Sequence, residues 1–354
     1  MQERISNRRT LPKAGAAAVA ATMTAPAGRA WAGEAPARDR LGDELRGTLG
    51  HMHALGVVGA QGQVSAGPRD VVARAGAASL GAPAPMPAGG RFRIGSNTKP
   101  FVSAVVLQLA GEGRLSLDDT VERRLPGVVT GNGNDGRRIT IRQLLQHTSG
   151  LYNYIQDIAA VQTAQEYLRH RYDHYDPAAL VALAMRHEPL FAPGTHWSYS
   201  NTNYVLAGMI IRRVTGRSWA EQVRDRITRP LGLRDTYFPY DHPSLPRSSA
   251  RAYQQFTPGA ALLDVTELNP TAADAAGGLV STTADLCRFW RALQRGALLR
   301  PPQMADLHRT VLAETYQDVR RGMRYGLGIF WVPTRDGGFW AHPGDVPAPA
   351  RSTA

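Results

Sequence analysis

The fold is decided by the stretch RIGSNTKPF, residues 93–101, which runs directly into the largely apolar segment VSAVVLQLA at residues 102–110. The pattern predicts a turn that delivers Ser96 to the first turn of a buried helix. Because residues three apart share a helix face, Ser96 and Lys99 should point the same way. Pro100 fits a first helical turn, where a missing N–H costs little. The sequence therefore predicts a serine beside a lysine at the start of a central helix.

A serine and an amine in this arrangement can form a nucleophile and its base. A serine hydroxyl reacts poorly until a neighbouring group takes its proton. Burial lowers the pKa of an amine, so Lys99 could accept the proton of Ser96. The S-x-x-K pattern is a signature of this chemistry. It also describes a helix N-cap serine followed by a surface lysine, so further motifs must distinguish the two interpretations.

A second motif carries side chains that this chemistry requires. The segment WSYSNTNY, residues 197–204, follows the turn at residues 192–194. The phenolic oxygen of Tyr199 could face Lys99 and pass the serine proton to a leaving group. Asn201 could donate a hydrogen bond to a substrate carbonyl.

A third motif, His342-Pro343-Gly344, ends a predicted strand. A cationic or donor side chain at His342 would line the far wall of the cavity, and Gly344 would let a substrate backbone approach closely. In this order the three motifs resemble those of the penicillin-recognising serine hydrolases. The resemblance is greatest to the class C β-lactamase and D-alanyl-D-alanine carboxypeptidase branch, whose third motif is often H-x-G. Further stretches similar to this family are residues 91–96, 144–151, 230–233 and 276–278.

The resemblance implies a role for each side chain of the site. Ser96 would be the acylated nucleophile, and Lys99 and Tyr199 would be the base and the proton shuttle. Asn201 would bind the substrate amide. His342 would assist at the leaving side. We expect no metal ion and no cofactor in this reaction.

The resemblance also implies an oxyanion hole formed by the backbone N–H groups of Ser96 and Asp345, with Gly344 beside them in the substrate-binding wall. Here the sequence departs from the family pattern. Pro343 has neither a hydroxyl nor an N–H with which to hold a substrate carboxylate, and Asp345 adds a negative charge. Both features disfavour a free C-terminal carboxylate, whereas a neutral ester or amide would be affected less.

The fold implied by the resemblance is α/β (α+β), with an antiparallel sheet flanked by helices and an inserted all-helical lobe at about residues 151–270. The hydrolase domain should cover residues 38–344. Family members add two strands and a helix after the third motif, but residues 345–354 contain two prolines, which cannot donate to a sheet. We therefore expect the last two strands and the C-terminal helix to be missing and residues 345–354 to be an unstructured, truncated tail.

Local patterns predict several elements of this fold. A helix is expected over residues 38–54, followed by a hairpin of strands at 57–66 and 71–75. Thr140 is a candidate N-cap for a short amphipathic helix. Near the end of the chain, a strand is expected over residues 325–332, and a glycine turn leads into a second strand at 339–342.

The first 32 residues resemble a twin-arginine export signal. NRRTLPK at residues 7–13 precedes a run of small residues at 14–27, and AWA at 30–32 fits a cleavage site. We therefore expect a secreted, extracytoplasmic protein. The alanine-rich run is too short and too weakly apolar to remain as a transmembrane helix, so none is expected in the mature chain.

Charge and composition limit the kinds of partner that the protein is expected to bind. The chain carries a formal net charge of +12; without residues 1–32, 36 Lys and Arg against 28 Asp and Glu leave +8. Such a protein would adsorb to an anionic cell envelope. No basic helix or binding module for nucleic acid is recognisable. Cys287 is the single cysteine, so an internal disulfide is excluded. His170 and His174 have a metal-compatible spacing but no third ligand in a known pattern.

The sequence as a whole predicts an exported serine hydrolase that forms an acyl-enzyme. The favoured activity is that of a D-alanyl-D-alanine carboxypeptidase on cell-wall peptides. A class C-like β-lactamase and an esterase share the same acylation machinery and remain alternatives, so the substrate is a small peptide, a β-lactam or an ester. A different class of function is an inactive penicillin-binding or envelope-binding protein.

Overall fold

The computed structural model describes residues 35–66, 69–82, 84–158 and 162–346. The predicted export signal, residues 1–32, lies outside these residues. The helices are α1 Ala35–Ala54, α2 Thr98–Gly111, α3 Val121–Arg124, α4 Ile141–Gln146, α5 Ala164–His170, α6 Pro177–Ala184, α7 Thr202–Thr215, α8 Trp219–Val223, α9 Asp274–Gly277, α10 Thr283–Gln294 and α11 Pro301–Leu307. The strands are β1 Gly59–Ala66, β2 Arg69–Gly76, β3 Phe92–Arg93, β4 Thr130–Gly131, β5 Asn134–Asp135, β6 Tyr253–Gln254, β7 Leu263–Asp264, β8 Val280–Ser281, β9 Val311–Leu312, β10 Arg324–Tyr325, β11 Phe330–Thr334 and β12 Gly337–Ala341.

Helix α2 is the element around which the other helices are arranged. Its residues 98–107 are all buried, and it packs against α7, α8, α9 and α11. Phe101 stacks on Phe289 of α10 with ring centroids 3.6 Å apart. A helix that is apolar on every side leaves no face for water and so takes a central position. The predicted buried helix is confirmed.

The strands form small antiparallel sheets, and the predicted mixed α/β class is confirmed. Among the described residues, the largest sheet has the strand order β12-β11-β10-β9, whereas β1 and β2 form a separate two-stranded sheet. The β1–β2 pair is the hairpin expected from the sequence, with Gly59 opposite Gly76 and Val64 opposite Val71. One face of this hairpin packs on α1, where Leu49, Ala60 and Ala73 form a small separate core.

The strand predicted over residues 325–332 is wrong. The chain instead makes a tight hairpin there, with Tyr325 of β10 opposite Phe330 of β11. Gly328 turns the chain with φ +90°, and a Cβ at this position would overlap the hydroxyl of Ser103. Because the whole stretch is apolar, the pattern of side chains does not change at the turn. The turn is required only by the packing of Gly328 against Ser103 of α2.

The lobe at residues 151–270, predicted to be all-helical, also contains a pair of strands. It holds α5 to α8 and the π-helical turn Arg224–Thr228, together with the antiparallel pair β6–β7. Gly259, with φ +82°, lies in the turn between these two strands. Strands of two residues are too short to produce a recognisable alternation of polar and apolar side chains.

The predicted tail does not begin at residue 345. The backbone of Asp345 lies against Gly95, and Val346 packs against the main core. Residues 347–354 lie outside the described residues. Within the described part of the chain, no helix combines the length and the apolar character needed to cross a bilayer.

Candidate active site

Ser96 lies on a 3-10 turn, Gly95–Asn97, that leads directly into α2. Gly95 takes φ +48°, and a Cβ there would come within 2.7 Å of the Asp345 carbonyl oxygen. The turn therefore requires glycine at this position. Lys99 follows in the first turn of α2, and its Nζ lies 2.9 Å from the Ser96 Oγ. The predicted serine–lysine pair is thus in contact.

The Lys99 side chain is completely buried, with 0% of the residue exposed. Its Nζ lies 2.8 Å from Asn201 Oδ1 and 2.7 Å from the carbonyl oxygen of Ala276. Burial lowers the pKa of Lys99 well below its ordinary value. A neutral amine has two hydrogens, which the two acceptors use, and one lone pair, which then faces the Ser96 hydroxyl. This arrangement suits Lys99 to take the serine proton.

Tyr199 is buried beside this pair, and among the described residues no hydrogen bond joins its phenolic oxygen to Lys99. Lys99 Nζ lies over the face of the Tyr199 ring, 4.7 Å from its centroid. Among the described groups, the Tyr199 Oη has no hydrogen-bond partner of standard geometry. Burial raises the pKa of Tyr199 well above its ordinary value, and the neighbouring Ser96 hydroxyl partly offsets this effect. The phenol is therefore a proton donor or relay next to Ser96.

The side-chain amide of Asn201 uses its oxygen for a hydrogen bond within the protein, while its nitrogen is available to a substrate. Its Oδ1 accepts from Lys99, and its backbone N–H donates to the Asn153 Oδ1 at 3.0 Å. No partner for Nδ2 is found among the described residues, and the side chain is half-buried. This amide can therefore donate to a substrate carbonyl, as the sequence suggested.

The sequence predicted a cationic or donor side chain at His342 on the far wall of the cavity, and the structure places there a buried ring whose hydrogen bonds are made within the protein. The residue is 1% exposed, and burial lowers its pKa to about 3. Nδ1 lies 2.7 Å from the carbonyl oxygen of Pro343 and must donate to it. Nε2 then accepts from the Tyr325 hydroxyl at 3.1 Å. Both ring nitrogens are therefore engaged within the protein.

The third motif lies against the serine turn through Gly344 and Asp345. A Cβ on Gly344 would overlap the Ile94 carbonyl oxygen and lie 3.4 Å from the Ser96 nitrogen. The close approach that Gly344 allows is therefore to the chain's own backbone, whereas the sequence suggested an approach of substrate. In the described part of the chain, neither Ser96 N–H nor Asp345 N–H has a backbone acceptor. The two donors are adjacent and suit an oxyanion hole.

Sequence reasoning missed two groups that hold the site together. Asn97 donates from Nδ2 to the backbone oxygen of His342 at 2.7 Å and so joins the serine turn to the third motif. His147 is fully buried, and its ring centroid lies 4.3 Å from that of Tyr199. His147 belongs to the family-like stretch 144–151 and forms the C-cap of α4, but the sequence gave no sign of its contact with Tyr199.

The described residues contain no group of three or more His, Cys, Asp or Glu side chains that could hold a metal ion. His170 and His174, whose spacing suggested a metal, are each close to carboxylates. His170 Nδ1 lies 2.7 Å from Asp173, and His174 Nδ1 lies 2.5 Å from Asp241.

Fold and site together define a serine hydrolase of the penicillin-recognising class. The Beta-lactamase family model matches residues 11–353, and the chain belongs to this family. The predicted resemblance to the penicillin-recognising hydrolases is confirmed.

Comparison with solved structures and curated proteins identifies three relatives. A D-stereospecific amidohydrolase from Streptomyces sp. is 43% identical, with a TM-score of 0.80 over 86% of this chain and 87% of that chain. D-amino acid amidase from Ochrobactrum anthropi SV3, complexed with D-phenylalanine, is 27% identical, with a TM-score of 0.74 over 87% and 86%. Protein flp of Staphylococcus aureus (strain MW2) is 34% identical over 148 residues, which is 42% of this chain but only 28% of the length of that protein.

Proposed function

We propose that this chain is a serine amidohydrolase that cleaves amides or esters of D-amino acids through an acyl-enzyme at Ser96. The observation that carries the proposal is the buried Lys99 Nζ at 2.9 Å from the Ser96 Oγ. The similarity to a D-stereospecific amidohydrolase over most of both chains supports the substrate class. The chain itself supplies the nucleophile, a base, a phenol and two backbone donors.

The proposed reaction begins when Ser96 Oγ attacks the substrate carbonyl carbon as its proton passes to Lys99 Nζ. The carbonyl oxygen becomes an oxyanion, which the N–H groups of Ser96 and Asp345 stabilise; one such donor is typically worth about 3–4 kcal/mol. The amine or alcohol leaves with a proton relayed through Tyr199, and the acyl group remains on Ser96. Water then attacks the ester and releases the carboxylic acid, with Lys99 and Tyr199 returning the proton to Ser96.

The third motif favours a neutral leaving group over a C-terminal carboxylate. Pro343 offers no hydroxyl and no N–H, and the exposed Asp345 carboxylate follows directly after Gly344 in the wall of the site. A substrate carboxylate placed there would be repelled, whereas an amide or ester would not. This difference supports an amidase over the D-alanyl-D-alanine carboxypeptidase that the sequence favoured.

Three other activities use the same acylation step and remain the alternatives: the carboxypeptidase, a class C-like β-lactamase and an esterase. The inactive penicillin-binding or envelope-binding protein is the alternative of a different class. We also propose that the protein is exported and works at the cell envelope, on the basis of residues 1–32 and the net charge.

One set of assays separates these possibilities. The purified full chain is incubated with D- and L-phenylalanine amide, an acetylated D-alanyl-D-alanine peptide, a chromogenic cephalosporin and a nitrophenyl ester, with Ser96→Ala as the control. We expect ammonia release from the D-amide to exceed release from the L-amide and all activity to disappear in Ser96→Ala. Preferred cleavage of the D-alanyl peptide or rapid cephalosporin turnover would replace the amidase proposal with the matching alternative. A folded protein whose Ser96 is never acylated, as judged by mass spectrometry, would indicate a binding protein.

A further inference from the structure

Residues 147–153 form a cradle for the segment that carries Tyr199 and Asn201. Ser198 N–H donates to the His147 backbone oxygen at 3.0 Å, and Ser200 N–H donates to the His147 Nδ1 at 3.3 Å. The Ser200 hydroxyl also donates to the Tyr152 carbonyl oxygen at 3.1 Å. His147 thus binds the backbone on both sides of Tyr199.

The hydrogen bonds of His147 determine its protonation. Besides Ser200 N–H, the Asn203 Nδ2 lies 3.0 Å from His147 Nδ1. The Ser149 hydroxyl donates to Asn203 Oδ1 at 2.6 Å, so the amide nitrogen of Asn203 is the end that faces the histidine. Both groups that meet Nδ1 are donors, so Nδ1 is unprotonated and the ring hydrogen is on Nε2. Burial lowers the pKa of His147 well below its ordinary value, which favours this neutral form.

Backbone geometry and ring packing fix the histidine itself. His147 is the C-cap of α4 and takes φ +63°, a left-handed conformation that few residues adopt. Its ring lies 4.3 Å from the Tyr199 ring and 4.9 Å from the Tyr325 ring. Among the described residues its Nε2 has no hydrogen-bond partner, although it is buried. The left-handed backbone and the unpaired, buried Nε2 are both unfavourable. Their presence together indicates that the ring has a function beyond packing.

We propose that His147 is the positioning residue for the proton relay, and that its neutral Nδ1, by accepting the Ser200 N–H, sets the position of the Tyr199 phenol against Ser96. This inference rests on the proposed acylation at Ser96. No described hydrogen bond or ring contact joins His147 to Ser96, so His147 acts through the segment of residues 198–201. A displacement of about 1 Å in a catalytic group can cost roughly 100-fold in rate.

Two substitutions separate the role of the acceptor from that of the ring. Asparagine tolerates the left-handed conformation, and its Oδ1 takes the place of Nδ1, so His147→Asn keeps the acceptor for Ser200 N–H. In His147→Gln the amide lies one atom further out and the acceptor is lost. His308→Asn is the matched control, because His308 is a half-buried histidine whose described partners are Gln294 and Trp340.

Two measurements are made on the full chain, each with a thermal unfolding scan. Hydrogen–deuterium exchange of a peptide covering residues 197–203 reports the position of the segment without any need for activity. The rate of Ser96 labelling by a fluorophosphonate, with Ser96→Ala as blank, reports acylation. We expect His147→Gln to increase exchange in this peptide and to slow labelling by roughly 10- to 100-fold, whereas His147→Asn and His308→Asn stay within about threefold of wild type.

The outcomes are distinguishable. Equal exchange and equal labelling in folded His147→Gln and His147→Asn would overturn the positioning role, as would faster exchange with unchanged labelling. A wild-type chain that is not labelled at Ser96 would contradict the proposed function, and the exchange data would still decide whether Nδ1 holds the segment.

Discussion

The Nζ of Lys99 lies 2.8 Å from the Oδ1 of Asn201, a residue 102 positions further along the chain. With the Ala276 carbonyl oxygen at 2.7 Å, two acceptors meet one amine whose side chain is fully buried. Their hydrogen bonds occupy both hydrogens of a neutral amine and direct its lone pair at Ser96.

Replacing Lys99 by methionine should slow acylation strongly while retaining most of the side-chain volume. General base catalysis typically contributes 10²- to 10⁴-fold, and we expect a loss in this range in the rate of Ser96 acylation. Stopped-flow or mass-spectrometric measurement of the acyl-enzyme tests this. Acylation at the wild-type rate in Lys99→Met would remove Lys99 from the mechanism.

The same variant should change how stability depends on pH. The pKa of Lys99 is lowered in the folded protein, so between the folded and the unfolded pKa the unfolded chain binds more protons. The free energy of unfolding attributable to Lys99 therefore rises as pH increases and levels off above the unfolded value of about 10.4. Wild type should gain more stability than Lys99→Met between pH 7 and 9 in denaturant titrations. Parallel curves would contradict a lysine kept neutral by burial.

His342→Gln should make the protein less sensitive to acid. The pKa of His342 is lowered to about 3 from an ordinary 6.5, so below pH 6.5 the unfolded chain takes up a proton that the folded chain refuses. Stability is then lost as pH falls, by about 1.4 kcal/mol per pH unit for one such group. Between pH 6 and 4, the free energy of unfolding should therefore fall less steeply with decreasing pH in His342→Gln than in wild type. The difference corresponds to about one proton taken up on unfolding. His147 contributes a slope of the same sign in both proteins, so the difference isolates His342.

Gly344→Ala should reduce stability and acylation together. The new Cβ would overlap the Ile94 carbonyl oxygen, so residues 344–345 must move away from the serine turn. Loss of an oxyanion donor typically costs about 10²- to 10³-fold in rate. Gly47→Ala in α1 is the control, because no atom lies within 4 Å of its added Cβ, and it should be neutral or slightly stabilising. Normal acylation in a folded Gly344→Ala protein would show that the Asp345 N–H is not needed.

Asp345→Asn should shift selectivity toward substrates that end in a free carboxylate. The side chain is exposed, so water screens its charge and the effect should be modest, about two- to fivefold in the ratio of kcat/KM for a peptide acid to that for the matching amide. The shift should shrink as salt is added. An unchanged ratio at low salt would show that the Asp345 carboxylate does not face the substrate.

Thr140→Ala should weaken the helix that ends at His147. Thr140 and Gln143 form a reciprocal capping box at the start of α4. Loss of such a cap typically costs about 0.5–2 kcal/mol in the free energy of unfolding. Thr140→Ser keeps the hydroxyl and should retain most of the stability in denaturant unfolding. Equal losses in the two variants would indicate that the methyl group, and not the cap, is what matters.

Much of the fold could be predicted because its signals are local. Three features depend only on residues that are close together in the sequence: the apolar run of α2, the glycine-bounded β11–β12 hairpin and the Thr140 cap. The β10–β11 turn could not be predicted, because its position is set by the contact of Gly328 with Ser103 on a distant helix. The β6–β7 pair was missed because two residues are too few to show a period.

For the candidate site, the sequence identified residues that the fold brings together. It did not reveal their burial, protonation or hydrogen bonds. The structure brings Ser96, Lys99, Tyr199 and Asn201 together, and their roles remain predictions. His342 was expected to be a cation or a free donor, yet its ring is buried and hydrogen-bonded to Tyr325 and Pro343.

The sequence by itself determined that a serine and a lysine lie side by side at the start of a buried helix, because helical geometry brings residues three apart onto one face. Only the tertiary structure decided that Lys99 is buried, which lowers its pKa, and that the backbone on both sides of Tyr199 is hydrogen-bonded to His147. A pKa depends on burial and on charges from other segments, and the position of a phenol depends on hydrogen bonds to backbone 50 residues away. Such quantities arise only when the distant parts of the chain are packed together.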